Sequence, residues 1–296
     1  MNVERIWHAL WVPKLVGRRG TETRVIAGID IAIWDLVGKI TGQPVHRLLG
    51  GFRDSVPVYV AGGYYEDGKG LDELAEEMRG NIATGARAVK MKIGGEPQAA
   101  DVDRVRVVRE TIGPDVKLMV DANNAYRFHE AIQTAQRIEP YDIFWFEEPC
   151  APDDYEGHAK VAAATSIPVA TGENEYTRYG FRNLIQHGSA AILQPDAHIM
   201  GGITEFRKVA DLAATHHLPI APHGNAFLHV HLLCGLPNGL ILEYGGGHMR
   251  GVGGGPSAWP RELVIDADGM AVPPDEPGLG FSFSPEFLDS IEPHRV

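Results

Sequence analysis

Three acidic residues recur at an even interval in the middle of the chain. Asp121 lies in "VDANN", Glu147 in "FEEP" and Glu173 in "TGEN", with 26 residues from each to the next. Each follows a short apolar run of the kind that forms a buried strand, and this interval is about one strand, loop and helix. Carboxylates brought together in this way repel one another unless a cation neutralises them. Oxygen ligands without cysteine or histidine favour a hard ion, so the spacing predicts a Mg²⁺ site.

Two pairs of side chains accompany the acidic residues. Lys90 and Lys92 lie two apart in "AVKMKIGG", so a strand aims both at the same side. Asp196 in "QPD" and His223 in "APHG" follow neighbouring predicted strands, where the carboxylate can orient the imidazole and raise its basicity. Glu243 in "LEY" ends the next strand. A lysine and a histidine on opposite flanks of a cation suit removal of a weakly acidic C–H proton next to a carboxylate.

The elements that must position these residues alternate between short β-branched runs and amphipathic stretches. Eight runs are predicted as strands: 56–61, 87–93, 116–121, 143–147, 167–172, 190–195, 218–222 and 239–243. The apolar periodicity predicts helices at 72–84, 101–112, 203–217 and around 227–233. Strands that alternate with helices form a parallel sheet, and eight strands apolar on both faces favour an α/β fold closed into a (β/α)8 barrel. The chemistry-bearing residues would then meet at the carboxyl ends of its strands.

The chain divides into three predicted parts. Residues 1–53 are typical of helix, turn and helix, without a strand, and residues 54–255 carry the barrel pattern. Residues 256–296 are rich in proline and glycine, with one candidate strand at 262–265. We expect the first and last parts to form an accessory layer around the barrel, which fits a 296-residue chain with a barrel of roughly 250 residues.

The composition excludes several classes of partner. The formal net charge of −12 disfavours nucleic acid and anionic membrane surfaces. No apolar run of about 18 residues is present, and the first residues do not have the pattern of a signal peptide. Cys150 and Cys234 lack metal-type spacing, which fits a reducing compartment. These features predict a cytoplasmic protein with a small-molecule partner.

The motifs taken in order resemble the mandelate racemase group of the enolase superfamily. They are "VKMKIG", "VDANNAY", "FEEP", "TGENEY", "LQPDAHIMGGITE", "APHG" and "LEY". As a set they are highly specific, and the match runs from about residue 20 to the C-terminus. The resemblance implies a modified (β/α)7β barrel with a capping domain and one Mg²⁺ per subunit. Relatives that cycloisomerise muconate or epimerise dipeptides carry lysine at the position of Asp196, so the resemblance favours the mandelate racemase-like subgroup.

The resemblance also implies a role for each matched residue. Lys92 would be the base that removes the proton, and Lys90 would lower its pKa and touch the substrate carboxylate. His223, oriented by Asp196, would be the second acid/base, and Glu243 would donate a hydrogen bond to the enediolate. The implied metal ligands are Asp121, Glu147 and Glu173, with Asn123 and Glu148 as further support.

The resemblance leaves several activities open. Most known members of this subgroup dehydrate acid sugars, so the leading hypothesis is a lyase that forms an enediolate and then eliminates water. A racemase or epimerase of a 2-hydroxy acid would use the same residues, and a lysine Schiff-base aldolase is a weaker alternative. A catalytically impaired or non-catalytic homologue is the alternative from another class.

One departure from the family concerns the capping domain. Family members begin with an antiparallel sheet followed by helices, and this chain starts inside the helical part. The loops that cover the barrel mouth, set specificity and exclude water would then be missing. We therefore expect a truncated cap, with reduced stability or dependence on oligomerisation, and a homo-oligomer as the assembled form.

Overall fold

The computed structural model describes residues 1–11, 19–245, 263 and 265–283. The strands are β1 (Val56–Gly62), β2 (Ala88–Lys92), β3 (Lys117–Asp121), β4 (Ile143–Glu147), β5 (Val169–Thr171), β6 (Ile192–Leu193), β7 (Leu242–Tyr244) and β8 (Met270–Ala271). The helices are α1 (Val3–Leu10), α2 (Thr21–Thr41), α3 (Val45–Leu48), α4 (Leu71–Ala83), α5 (Gln98–Ile112), α6 (Phe128–Ile138), α7 (Tyr155–Ala164), α8 (Thr177–His187), α9 (Ala197–Met200), α10 (Gly202–Thr215) and α11 (Ala226–Gly235). A 3-10 turn at Glu139–Tyr141 follows α6.

The sheet is parallel and curls through most of a barrel. Its strand order is β6, β5, β4, β3, β2, β1 and β7, and consecutive strands are joined through helices. The short strand β8 pairs antiparallel with the start of β1. Strands alternating with helices were predicted from periodicity, and α4, α5, α10 and α11 lie where it placed them.

The predicted seventh strand, 218–222, is wrong as a strand. Only Ile220 forms ladder bridges there, to Leu193 on one side and to Gly239 on the other. Pro219 and Pro222 flank this bridge and have no N–H to donate, so the ladder cannot lengthen. The segment 219–221 still joins the two edges of the sheet and closes the barrel, and we call it the seam.

Side-chain alternation separates two apolar layers. Inward residues of the strands fill the barrel: Tyr59, Ala61, Ala88, Met119, Trp145, Ala170, Ile192, Ala221 and Ile241. Outward residues such as Val89, Leu118 and Phe146 pack against the surrounding helices. Because the period is two, the polar residues Lys90, Asp121 and Glu147 share the inward face with the first set.

Helices α1 and α2 pack against the α9–α10 corner of the barrel. The Trp7 indole donates to the Gly201 carbonyl (2.8 Å), and the Trp34 indole donates to the Thr204 hydroxyl (2.8 Å). Asp30 of α2 accepts a hydrogen bond from the Thr204 backbone N–H (2.9 Å) at the first turn of α10. The Asp30 carboxylate on α2 therefore satisfies a free N–H of α10 and interacts favourably with the positive N-terminal end of the α10 dipole.

The C-terminal part also reaches this layer. Gly278 exchanges backbone hydrogen bonds with Gln43 (3.0 Å) and Val45 (2.8 Å) between α2 and α3. Of the predicted strand at 262–265 the structure describes residues 263 and 265, and Ile265 bridges Ala271. The predicted domain boundaries, at 53 and 255, stay predictions. Among the described helices, none has the length and hydropathy to cross a bilayer.

Candidate active site

Three carboxylates meet at the carboxyl ends of three adjacent strands. Asp121 ends β3, Glu147 ends β4 in register with it, and Glu173 lies two residues beyond β5. Each offers an oxygen, and the three oxygens lie within 4.8 Å of one another. Asp121 and Glu147 are fully buried. The structure therefore brings together the residues that the even spacing singled out.

The two lysines lie at different depths beside this cluster. Lys90 is 1% exposed, and its ammonium lies 2.6 Å from Glu147 and 3.0 Å from Glu243. Lys92 is one pleat nearer the mouth, keeps 15% of its side chain exposed and forms an ion pair with Asp121. The two lysines lie on one face of β2, as the period of two predicts. Of the two, only Lys92 is accessible from the mouth.

Two buried aromatic residues complete the floor of the site and were missed from the sequence. The Tyr59 hydroxyl lies 3.4 Å from the Lys90 ammonium, and the Trp145 indole donates to the second oxygen of Glu147 (2.9 Å). Their rings pack edge to face at 5.2 Å. The alternation of the strands places both residues on the inward face, which was the available signal. An inward aromatic residue in a strand, however, is first interpreted as part of the apolar core.

The histidine and its aspartate lie on the other side of the cluster. His223 Nδ1 donates to Asp196 (3.0 Å), and its Nε2 lies 3.8 Å from Glu173. Burial lowers the pKa of His223, but the hydrogen bond to Asp196 and the charges of Glu243 and Glu173 outweigh burial and raise the pKa to about 10. The ring is thus an imidazolium at neutral pH, with one N–H directed at the site.

Asp196 has two further histidine neighbours, for which the sequence offered no partner. His198 donates to it through its backbone N–H (2.8 Å) and through Nδ1 (3.2 Å). His229 Nε2 lies 3.9 Å away, accepts from the Ala197 N–H, and its Nδ1 donates to the Gly224 carbonyl. Both nitrogens of His229 are therefore occupied by backbone, so Asp196, His198 and His229 are not a metal site despite their proximity.

Glu243 closes the ring of charges. One oxygen pairs with Lys90 (3.0 Å) and the other accepts from the Gly224 N–H (2.7 Å). Burial raises its pKa, but Lys90 and His223 outweigh burial and lower the pKa to about 2. The residue is therefore an ionised acceptor here, and donation of a hydrogen bond to an enediolate would require its protonated form.

The two support residues have different surroundings. Asn123 is exposed, and its backbone N–H donates to Asp121 (2.9 Å). Glu148 is buried and accepts from the side-chain amides of Asn124 (2.9 Å) and Asn174 (2.8 Å), which follow β3 and β5. Glu148 therefore ties together the loops that follow β3, β4 and β5, next to the three clustered carboxylates.

The charges of the cluster fit a divalent cation. Burial and the neighbouring Asp121 raise the pKa of Glu147 to about 8, although Lys90 opposes them. Burial also raises the pKa of Glu173, whose buried Oε2 has no hydrogen-bond donor among the described residues. Crowded carboxylates with an unsatisfied oxygen and no sulfur or nitrogen ligand match the preference of Mg²⁺ for hard oxygen donors.

The barrel and this site together define an enolase-type protein, and comparison with known proteins agrees. Residues 73–287 match the family described as enolase C-terminal domain-like. Residues 3–50 match the N-terminal domain of the mandelate racemase / muconate lactonizing enzyme family. The chain therefore belongs to the mandelate racemase / muconate lactonizing enzyme family of the enolase superfamily. The predicted family and the predicted α/β barrel class are confirmed.

Several relatives carry named activities. Arabinonate dehydratase of Saccharolobus solfataricus is 34% identical over 95% of this chain and 75% of its own length. The 3,6-anhydro-alpha-L-galactonate cycloisomerase of Streptomyces coelicolor is 37% identical over 94% of this chain and 75% of its own length. The crystal structure of L-talarate dehydratase from Polaromonas sp. JS666, complexed with Mg and L-glucarate, superposes with a TM-score of 0.88 at 35% identity. That superposition covers 97% of this chain and 78% of the other.

Proposed function

We propose that this protein is a Mg²⁺-dependent acid-sugar dehydratase, a lyase that removes water from a sugar acid. The observation that carries the proposal is the placement of Lys92 and His223 on opposite sides of one carboxylate cluster. Lys92 pairs with Asp121 on β3, and His223 lies 3.8 Å from Glu173 after β5. Relatives named as dehydratases of acid sugars and a Mg-bound structural neighbour support the same substrate class.

Asp121, Glu147 and Glu173 would hold the cation. When bound, Mg²⁺ supplies positive charge beside the substrate carboxylate and the enediolate formed from it. Lys90, fixed beneath the cluster by Glu147 and Glu243, adds a buried positive charge at the same place. The substrate's carboxylate would thus meet local positive charge from the cation and Lys90, within a protein of net charge −12.

Lys92 would accept the α-proton at its Nζ. Burial and the Lys90 ammonium both lower the pKa of Lys92. The ion pair with Asp121 outweighs them, so the pKa is raised overall in this structure. Lys92 can act as a base only when its pair with Asp121 is broken. Use of Asp121 as a metal ligand would break that pair and leave burial and Lys90 to favour the neutral amine.

His223 would act as the acid in the second step. The C–H electron pair left by proton transfer to Lys92 forms the enediolate, and its collapse expels the β-hydroxyl. His223 Nε2 gives this leaving group a proton, so that it departs as water, and Asp196 stabilises the ring throughout. The enol that remains tautomerises to a 2-keto-3-deoxy acid.

A screen of acid sugars with Mg²⁺ tests the proposal. Formation of a 2-keto-3-deoxy product, detected by its semicarbazone absorbance, is the expected result with at least one member of a stereochemically complete library. Mg²⁺ binding without turnover of any member would refute a dehydratase and favour a non-catalytic homologue. The same library must be run with EDTA as the control.

An isomerase is the second candidate, because one relative of similar identity is named a cycloisomerase. Racemisation, epimerisation and cycloisomerisation can also begin with removal of the α-proton by a base. A product isomeric with the substrate, formed without loss of water, or solvent deuterium at the α-carbon of recovered acid would identify this class. We also propose that the protein is cytoplasmic, which the free, buried thiols of Cys150 and Cys234 support. Assembly into a homo-oligomer is a further proposal.

A further inference from the structure

Arg104 on α5 bonds to the ends of two adjacent strands although it has no place in the chemistry above. It is 6% exposed. Its Nη2 donates to the carbonyl of Gly63, just beyond β1 (2.7 Å), and approaches the carbonyl of Lys92, the last residue of β2 (3.5 Å). The buried Nε has no hydrogen-bond partner among the described residues and lies 3.7 Å from the Asp101 carboxylate. A buried guanidinium is costly, so the ion pair with Asp101 and the contacts of Nη2 hold Arg104 in place.

Asp101, one turn earlier on α5, extends the arrangement to two rim loops. It is 1% exposed and accepts hydrogen bonds from the Gly94 N–H (2.7 Å) and from the Tyr65 hydroxyl. Arg104 lies 3.7 Å from Asp101 and stacks over the Tyr65 ring at 4.2 Å from its centroid. We call Tyr65, Asp101 and Arg104 the rim clamp.

Glycine at position 95 is part of the fit. Its backbone N–H donates to the Tyr65 hydroxyl (3.1 Å), and a Cβ there would lie 2.5 Å from the Tyr65 ring. A side chain at this position would therefore push the ring away from Asp101. Burial and the Asp101 carboxylate raise the pKa of Tyr65, so its hydroxyl stays a donor.

The rim clamp holds both neighbours of Tyr64. Gly63 is bonded through its carbonyl to Arg104, and Tyr65 is bonded through its hydroxyl to Asp101. The Tyr64 ring itself turns toward the mouth, where the Lys92 ammonium lies 5.4 Å from its centroid. With residues on either side bonded, the backbone from which the Tyr64 ring projects toward Lys92 is held in place.

We propose that Arg104 is a positioning residue that, with Asp101 and Tyr65, holds the Tyr64 ring against Lys92 as one wall of the substrate site. The catalytic part of this inference rests on the proposed function, because it takes Lys92 as the base. The wall restricts the directions from which the ammonium can be reached and shields it from water. The clamp also fixes the main chain of Lys92, and errors of about 1 Å at such a group cost roughly a hundredfold in rate.

The test compares Arg104→Gln with Arg106→Gln. Arg106 lies on the same helix but is 40% exposed and pairs with Asp103 and Glu110 of that helix. For Arg104→Gln we expect kcat to fall about 10- to 100-fold with KM changed less, and Mg²⁺ affinity to stay within about twofold. Amide hydrogen exchange over residues 63–70, followed by mass spectrometry, should be about tenfold faster. Arg106→Gln should leave all four quantities unchanged.

Tyr65→Phe provides a milder variant should Arg104→Gln fold poorly. It removes one hydroxyl that links Asp101 to Gly95, so we expect the same direction of change with a smaller loss of kcat. Faster exchange with unchanged kcat would overturn the positioning role, and unchanged exchange would overturn the clamp itself. If the wild type turns over no acid sugar, the proposed function fails, while exchange over residues 63–70 still decides whether the clamp exists.

Discussion

Lys90 and Lys92 differ in depth although they are two residues apart. Lys90 has two carboxylates and a tyrosine hydroxyl within 3.4 Å and almost no exposure, whereas Lys92 is open to the mouth. The period of two predicts their common face, and the same rule places Asp121 and Glu147 correctly. The period of two could not show that Tyr59 and Trp145 contact polar groups, because the hydrogen-bond partner of an indole or a phenol depends on the folded structure.

Lys92→Ala should abolish α-proton transfer. The ammonium that pairs with Asp121 is replaced by a methyl group, while the three clustered carboxylates keep their places. Loss of the α-proton of an acid sugar, by dehydration or by exchange with D2O and followed by proton NMR, should cease, with Mg²⁺ binding largely retained. Lys117→Ala, at the opposite end of β3 and exposed, is the matched control. Exchange at the wild-type rate in Lys92→Ala would remove this residue from the role of base.

Glu173→Gln should weaken Mg²⁺ binding more than Glu148→Gln does. Glu173 belongs to the cluster, and its replacement removes one of three negative charges that face the cation. Glu148 only ties loops through Asn124 and Asn174, and glutamine can keep one of these bonds. We expect at least about a tenfold rise in Kd for Glu173→Gln by calorimetric titration, and less for Glu148→Gln. Equal effects would contradict the assignment of Glu173 as a ligand.

At the scale of elements, periodicity predicts the helices well and the last strands less well. Leu74 and Met78 mark the buried face of α4, and Val105 and Val108 mark that of α5, as their spacing indicates. The run 218–222 has the composition of a strand but forms a single bridge residue, because its two prolines interrupt the ladder. The contact from Asp30 to α10 joins residues 174 apart, which no local pattern reveals.

Asp30→Asn should change how stability depends on pH. Burial raises the pKa of Asp30 to about 6 from an ordinary 3.8, although bonds from Thr204 oppose it. Between these values the native state binds more protons than the unfolded state, so the contribution of Asp30 falls as pH rises. As pH rises from 4 to 7, the free energy of unfolding of the wild type, measured with urea, should therefore fall relative to that of the variant, by up to about 3 kcal/mol. Parallel stability curves would contradict this prediction.

At the scale of the whole molecule, the sequence predicts the barrel, the family and the meeting of distant residues at one rim. It does so because parallel α/β units impose a repeating order, in which strand ends share an edge. The rim clamp escaped prediction because its members lie on α5 and a loop, where neither spacing nor composition marks a partner. Long-range contacts between loops and helices depend on geometry that appears only once the units have packed.

Mg²⁺ should stabilise the folded protein, and its removal should leave the barrel intact. Lys90, Lys92 and His223 already neutralise part of the cluster, so the metal-free site has internal counter-ions. At 100 times Kd, Mg²⁺ adds about 2.7 kcal/mol to the free energy of unfolding. For a chain of 296 residues this corresponds to a rise in Tm of roughly 4 °C by scanning calorimetry. Loss of the far-UV circular dichroism in EDTA would show that the cation is required for folding itself.

One hydrogen bond beside the seam contributes both to the site and to closure of the barrel. Asp196 follows β6 and His223 follows segment 219–221, so the bond between them connects one sheet edge to the seam, where the barrel closes with the fewest ladder contacts. A substitution at either residue removes the proposed acid or the carboxylate that orients it, and weakens the closure in the same event. Selection therefore cannot relax one property while it keeps the other, and mutational scans that score abundance and activity separately should find the two losses inseparable at this pair.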